Sequence, residues 1–220
     1  MPAAAYTVRV DPERELKFSM LDPPPADAVL VDAFRGSGYA LAPRGTRAQR
    51  DTYVDTPERA LRAAGVALRR RDLGSEQLAT LKTLGRVNGP YHERDELELP
   101  LGPDGEWPAA LLARLAQIAP ADPRLLTAQV IVATERRVYA LSQGDALVAE
   151  LCFDDVSASA PDAEREALFR EAELEAAPGV LLSQLATIAT RLERVVTLTP
   201  SSVTKLQRAE ALLALGAVLE

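Results

Sequence analysis

Polar and apolar residues alternate along most of this chain, and the alternation predicts strands. Extended segments are expected at residues 6–18, 46–54, 66–72, 77–83, 91–99, 128–141, 146–154 and 169–175, bounded by turn-forming groups such as Gly74-Ser75, Gly85 to Pro90 and Gln143-Gly144-Asp145. The three strands between 66 and 99 follow one another closely enough to imply an antiparallel meander. Elsewhere the spacing changes to that of a helix. One such stretch, 26–34, is closed by Gly36 and Gly38. Another begins at Thr56-Pro57-Glu58, where the threonine can cap and the missing proline N–H costs nothing, and ends at Gly65. Residues 107–118 place Leu111, Leu112, Leu115 and Ile118 on one face, before Pro120 and Pro123 stop the helix. The tail gives two more helices, 180–192 and 204–219, separated by Pro200.

Within the strands one face is ionic and the other apolar. Alternate residues share a face, so Glu13, Glu15 and Lys17 line up together while Leu16 and Phe18 point the other way. The same division holds for Arg94, Glu96 and Glu98, for Glu150 and Asp154, and for Glu171, Glu173 and Glu175; Arg69 and Arg71 also share a face. An open sandwich would turn such faces to water. Repetition over several strands, with both charge signs, suits an α+β fold instead. The expected architecture is a closed eight-stranded antiparallel β-barrel, about eight strands around a polar, charged lumen, surrounded by helices.

Composition narrows the function. The 220 residues are 47% hydrophobic and 26% charged, which suits a single domain over 1–220. No stretch of 18 apolar residues and no basic start followed by an apolar run occurs, so neither export nor a membrane span is expected and a cytoplasmic location is. A formal net charge of −7 argues against a nucleic-acid duplex as partner. Cys152 and His92 are the sole residues of their kinds, which removes disulfides, cysteine zinc clusters and serine-triad chemistry. His92, beside a Gly-Pro turn, is expected on the surface, Cys152 in a strand wall, Trp107 in packing, and Arg86 and the tail arginines in solvent.

A charged lumen needs an occupant, because buried like charges are costly unless compensated. Bases call for an anion and clustered carboxylates for a cation; a polyphosphate with a divalent metal supplies both. Acidic residues two apart on a strand lie roughly 6–7 Å from each other, close enough to share one hydrated hard cation.

Glu13-Arg14-Glu15-Leu16-Lys17 resembles the Glu-x-Glu-x-Lys opening of the CYTH, or triphosphate tunnel metalloenzyme, superfamily. The rest follows in that family's order: Tyr53-Val54-Asp55-Thr56-Pro57, Gly65 to Arg71, Thr80-Leu81-Lys82, Arg94-Asp95-Glu96, Arg136 upstream of Tyr139, Glu150 and Asp154, Glu171-Ala172-Glu173, and Ser202-Val203-Thr204-Lys205. The resemblance implies that Lys17, Arg69, Arg71, Lys82, Arg94, Arg136 and Lys205 contact phosphate oxygens. It implies that Glu13, Glu15, Asp154, Glu171 and Glu173 hold Mg2+ or Mn2+, and that Glu13, Glu15, Lys17 and Lys82 form the catalytic set. Arg137 is the alternative to Arg136 after a one-residue register slip, and Asp155 is the alternative to Asp154, because Phe153-Asp154-Asp155-Val156 lacks the glycine that the family often has two residues after its leucine-aspartate. Glu175 is a rim residue or a third ligand. The implied activity is hydrolysis of inorganic triphosphate or a related triphosphate or polyphosphate, by a monomer or homodimer; the alternatives are a class IV adenylate cyclase and a non-catalytic polyphosphate-binding module.

Overall fold

In a computed structural model, which describes residues 12–119, 121–162 and 166–218, all the strands join one antiparallel sheet. In chain order the elements are β1 (Glu13–Met20), α1 (Asp27–Ala33), β2 (Ala40–Asp55), α2 (Ala60–Ala63), β3 (Val66–Asp72), β4 (Gln77–Thr83), β5 (Arg86–Asn88), β6 (Tyr91–Arg94) and β7 (Glu96–Pro100). They continue with α3 (Ala109–Ile118), β8 (Thr127–Gln143), β9 (Ala146–Ser159), β10 (Glu166–Ala176), α4 (Leu182–Leu192), β11 (Thr199–Pro200) and α5 (Lys205–Val218). The expected strand segment 6–11, the helix stop at Pro120 and the last residue of the tail helix, Leu219, lie outside the described residues.

The expectation of a closed eight-stranded barrel is corrected. The sheet has 11 strands along an open path, β5-β6-β1-β10-β9-β8-β2-β3-β4-β7, with β11 added to β1. The discontinuity has a local cause. The strand expected over 91–99 breaks at Asp95; β6 pairs with β1, whereas β7 pairs with β4 near the other end of the path. Each half satisfies its backbone on a different neighbour, and the expected single strand is divided between two ladders. The sheet is strongly curled nonetheless, because Lys82 on β4 reaches Glu13 on β1 at 3.0 Å.

The apolar faces of the strands turn outward to the helices. Leu16, Phe18, Tyr139, Leu141, Leu151, Phe153 and Leu174 pack with Leu30 and Phe34 of α1 and its surroundings and with Leu185, Ile188 and Leu192 of α4. Leu68 and Leu81 pack with Leu61 of α2 and Leu111 and Leu115 of α3, with Trp107 partly buried alongside. Burial at this scale contributes about 1.5–3 kcal/mol per large side chain. The α2 helix is only one turn, and its start is held from before it. The Asp55 carboxylate accepts from the Leu61 and Arg62 N–H groups at 2.8 and 3.0 Å, and Thr56 Oγ1 from Ala60 N–H at 3.1 Å.

One helix breaks this pattern. Ala209 of α5 packs on Tyr53, Val130, Val132, Val156 and Ala158, residues that share the strand faces of Asp51, Thr134 and Asp154. The α5 helix therefore covers part of the concave, ionic side, and brings Lys205 into it.

Candidate active site

The concave face carries a lattice of alternating charge around a cavity of ≈ 630 Å³. Its walls include Glu13, Lys17, Arg69, Arg71, Lys82, Arg94, Arg136, Glu173 and Lys205; Glu15, Asp154 and Glu171 lie behind them, exposed by no more than 3%. The bases and carboxylates that the resemblance assigns to phosphate and metal thus lie on or directly behind the walls of one cavity. Arg136 rather than Arg137 faces this side: its guanidinium donates to both Asp154 oxygens at 2.8 and 2.7 Å, while Arg137 donates to the carbonyls of Pro24 and Pro25 on the far face. Asp155 likewise points away, to Arg170. Glu175 lines the cavity.

The pairings fall into three groups. Glu13 accepts from Lys82 at 3.0 Å and Arg94 at 2.9 Å, and Glu15 accepts from Arg94. Lys17 and Lys205 lie among Asp154, Glu171 and Glu173, with Arg136 bridging Asp154 and Glu173. Asp51, fully buried, accepts from Arg71 at 2.8 and 2.9 Å and from Arg69 at 3.1 Å. The fork fixes the Arg71 guanidinium plane, and the single bond from Arg69 ties that arginine to the same carboxylate.

The carboxylates titrate in opposite senses. Burial raises Glu15, to about 7, despite Lys17 and Arg94 beside it. At Glu13 burial acts the same way but is outweighed by Lys82 and Arg94, which hold it well below the usual range. Asp154 and Glu173 are also lowered against burial, chiefly by Lys205 and Lys17 respectively, whereas burial raises Glu171. Asp51 is held at about 2, its burial outweighed by Arg69 and Arg71.

Asp154, Glu171 and Glu173 each offer a carboxylate oxygen, all within 4.8 Å of one another. Glu171 Oε1 is buried without a hydrogen-bond partner, although Lys205 Nζ lies 3.1 Å away as an ion pair. Three converging hard oxygen donors, one of them lacking a hydrogen bond, suit a small divalent cation. Glu13 and Glu15 lie outside this trio and, like it, pair with bases: Glu13 with Lys82 and Arg94, Glu15 with Arg94 and with Lys17, which also reaches Glu171 and Glu173.

Several residues of the site escaped the sequence. Asp51 and Tyr53 share the concave face of β2, and Arg69 donates to the Tyr53 hydroxyl at 3.3 Å. Glu96 and Glu98, given no role in the site from the sequence, pair with Lys82 and with the Thr80 hydroxyl. Alternation from Tyr53 back to Asp51 was the available signal. His92 corrects the surface expectation: it is 1% exposed, with Nε2 3.0 Å from the Ser201 carbonyl, and burial lowers its pKa. Arg208, expected in solvent, donates to the Arg170 carbonyl and Ser201 Oγ.

Among the described residues no helix is long and apolar enough to cross a membrane. No curated protein matches the chain. Solved structures do. A candidate adenylyl cyclase of Hippeastrum, described as having a dominant triphosphatase activity, is 15% identical with a TM-score of 0.63, over 90% of this chain and 95% of its own. A candidate adenylate cyclase of Bacillus halodurans is 15% identical with a TM-score of 0.61, over 90% and 97%. PH1819 of Pyrococcus horikoshii is 18% identical with a TM-score of 0.52, over 94% and 99%. At these identities the likeness is one of fold. The CYTH domain family, by contrast, matches the sequence itself across residues 11–209, nearly the whole chain, and the protein belongs to that family.

Proposed function

We propose that this protein hydrolyses inorganic triphosphate, or a closely related triphosphate compound, with the help of Mg2+ or Mn2+. The observation that carries the proposal is the convergence of Lys17, Arg69, Arg71, Lys82, Arg94, Arg136 and Lys205 on one cavity beside the Asp154–Glu171–Glu173 trio. Pure anion binding would not need a buried acidic trio.

On this reading the arginines bind phosphate oxygens as forks and the lysines as point charges. Asp51 orients Arg69 and Arg71, and Glu13 orients Lys82 and Arg94, so the donors are fixed before substrate arrives. Asp154, Glu171 and Glu173 hold the metal. The chemistry a divalent ion supplies when bound is neutralisation of phosphate charge and a water of lowered pKa. No side-chain nucleophile is required. Cys152 is buried, and burial raises its thiol pKa, so it stays a neutral thiol.

The test is release of phosphate and of cyclic nucleotide from tripolyphosphate, thiamine triphosphate and ATP, each with magnesium and with manganese. Tripolyphosphate is expected to turn over faster than ATP, because a bare triphosphate fills the cavity without placing a nucleoside at its mouth. Cyclic AMP as the main product from ATP would establish a cyclase instead.

A further inference from the structure

Gln49 and Thr134 face each other across the β2–β8 ladder and are exposed by only 7% and 3%. Gln49 Nε2 and Thr134 Oγ1 have no hydrogen-bond partner. A buried polar group left unpaired costs roughly 1–3 kcal/mol, so two side by side imply a partner from outside the chain. Both border a groove of ≈ 1200 Å³ that meets the central cavity at Gln49 and Leu73.

Two residues earlier on the same face of β2 is Arg47, exposed and lining the central cavity. Its register partner on β8 is Arg136. Like charges directly opposite across a ladder are destabilising. Arg136 is neutralised by Asp154 and Glu173. The other bases named for this cavity also have carboxylate partners, whereas Arg47 has none among the described residues.

We propose that Arg47, Gln49 and Thr134 form an oxyanion subsite, which takes the phosphoryl group at one end of the substrate and orthophosphate after cleavage. The proposal rests on the triphosphate reading of the cavity. A guanidinium, an amide N–H and a hydroxyl are all donors, and phosphate oxygens accept from each. Arg47 and Gln49 lie about 6–7 Å apart along the strand, a span that suits donors on either side of one phosphoryl group. The subsite adjoins Arg136, and through it Asp154 and Glu173.

Binding of inorganic phosphate and of tripolyphosphate to the full chain is measured by calorimetry, alongside thermal melting, for wild type, Arg47→Gln, Gln49→Leu and Thr134→Val. Arg47→Gln is expected to weaken phosphate binding by roughly 10–100-fold with no loss of stability, the size of a charge-assisted hydrogen bond. Thr134→Val is expected to weaken it roughly 3–10-fold while raising the melting temperature, because a methyl replaces an unpaired buried hydroxyl. A structural role would move stability the other way and leave phosphate binding alone. Gln49→Leu is expected to weaken phosphate binding by a similar factor, roughly 3–10-fold. Unchanged phosphate affinity in all three variants overturns the subsite and leaves Gln49 and Thr134 holding water. The outcomes stay separable from the main proposal: phosphate binding that depends on Arg47 in a protein inert toward tripolyphosphate supports the subsite and removes the triphosphatase, and turnover with binding indifferent to Arg47 does the reverse.

Discussion

Glu171 and Glu173 stand two residues apart on one face of β10, yet their environments drive them apart. Glu173 meets Lys17, Lys205 and Arg136 and stays ionised; Glu171 also pairs with Lys205 and Lys17 but lacks Arg136, and burial outweighs them and raises it. Glu171→Gln should therefore abolish most turnover and weaken metal binding by at least about tenfold, while the melting temperature holds or rises as like-charge repulsion is relieved. Glu173→Gln should lose activity and also stability, since it strands buried bases. Glu166→Gln, exposed at the start of β10, is the control and should do nothing. Equal activity in all three, measured against metal concentration, would remove the trio from the site. Asp51 makes a pH prediction. Its folded pKa, about 2, lies below the ordinary 3.8, so its contribution is complete above about pH 4 and is lost as pH falls toward 2. Wild type should lose on the order of 2 kcal/mol more than Asp51→Asn over that interval in denaturant melts; parallel curves would contradict it. Asp51 was hidden in the sequence because a single carboxylate beside Gln49 and Tyr53 makes no ionic stripe, and only its two-residue spacing from Tyr53 points to the concave face. The Glu-x-Glu-x-Lys and Glu171/Glu173 pairs repeat at the strand period and so were legible. His92 misled for a related reason: a neighbouring Gly-Pro turn says where the chain bends, not which side β11 and Ser201 will cover.

Among the elements, most long strands and the helices were readable, down to the single turn of α2, whereas the start of β2 before residue 46 and the shortest strands were not. Alternation over β8 and β9 survives for many turns of the pleat, whereas β5 and β11, at three and two residues, carry no measurable period. The break at Asp95 is likewise set by which neighbour each half meets. The β5–β6 hairpin offers a test of how such a small element serves the site, because it positions Arg94 on Glu13 and Glu15. Gly85, which leads into β5, has φ +59°, and a Cβ there would lie 2.0 Å from the Glu93 carbonyl and 2.6 Å from Arg94 Cβ. Gly89, at the hairpin tip, has φ +58° and open space around it. Gly89→Ala should cost about 1 kcal/mol, the left-handed penalty alone. Gly85→Ala should cost distinctly more and also raise KM for tripolyphosphate by displacing Arg94. Similar stability and KM for the two variants in melting and steady-state assays would show that the hairpin does not hold the arginine.

At the scale of the whole molecule, the fold sets bases and carboxylates on one concave surface, where each partly neutralises the other in the absence of ligand. On the triphosphate reading, an anion in the cavity would compete with the carboxylates for Lys17, Arg136 and Lys205, and would release negative charge around Asp154, Glu171 and Glu173 that only a cation can offset. A bound metal would do the converse. The two ligands would then be coupled through shared ion pairs, and the coupling would be reciprocal. Tripolyphosphate alone and Mg2+ alone should each shift the melting temperature little, and together they should shift it by more than the sum. A saturating complex at about 100 times its dissociation constant contributes about 2.7 kcal/mol, or roughly 5–10 °C for a chain of this size. Excess chelator should return the tripolyphosphate melt to its small single-ligand shift and stop turnover. In the Glu171→Gln protein the joint shift should shrink toward the sum of its parts, because one arm of the coupling is gone. Additive shifts in wild type, or turnover undiminished in chelator, would mean that the acidic trio and the basic cavity act independently, and the metal-dependent reading would fail with them.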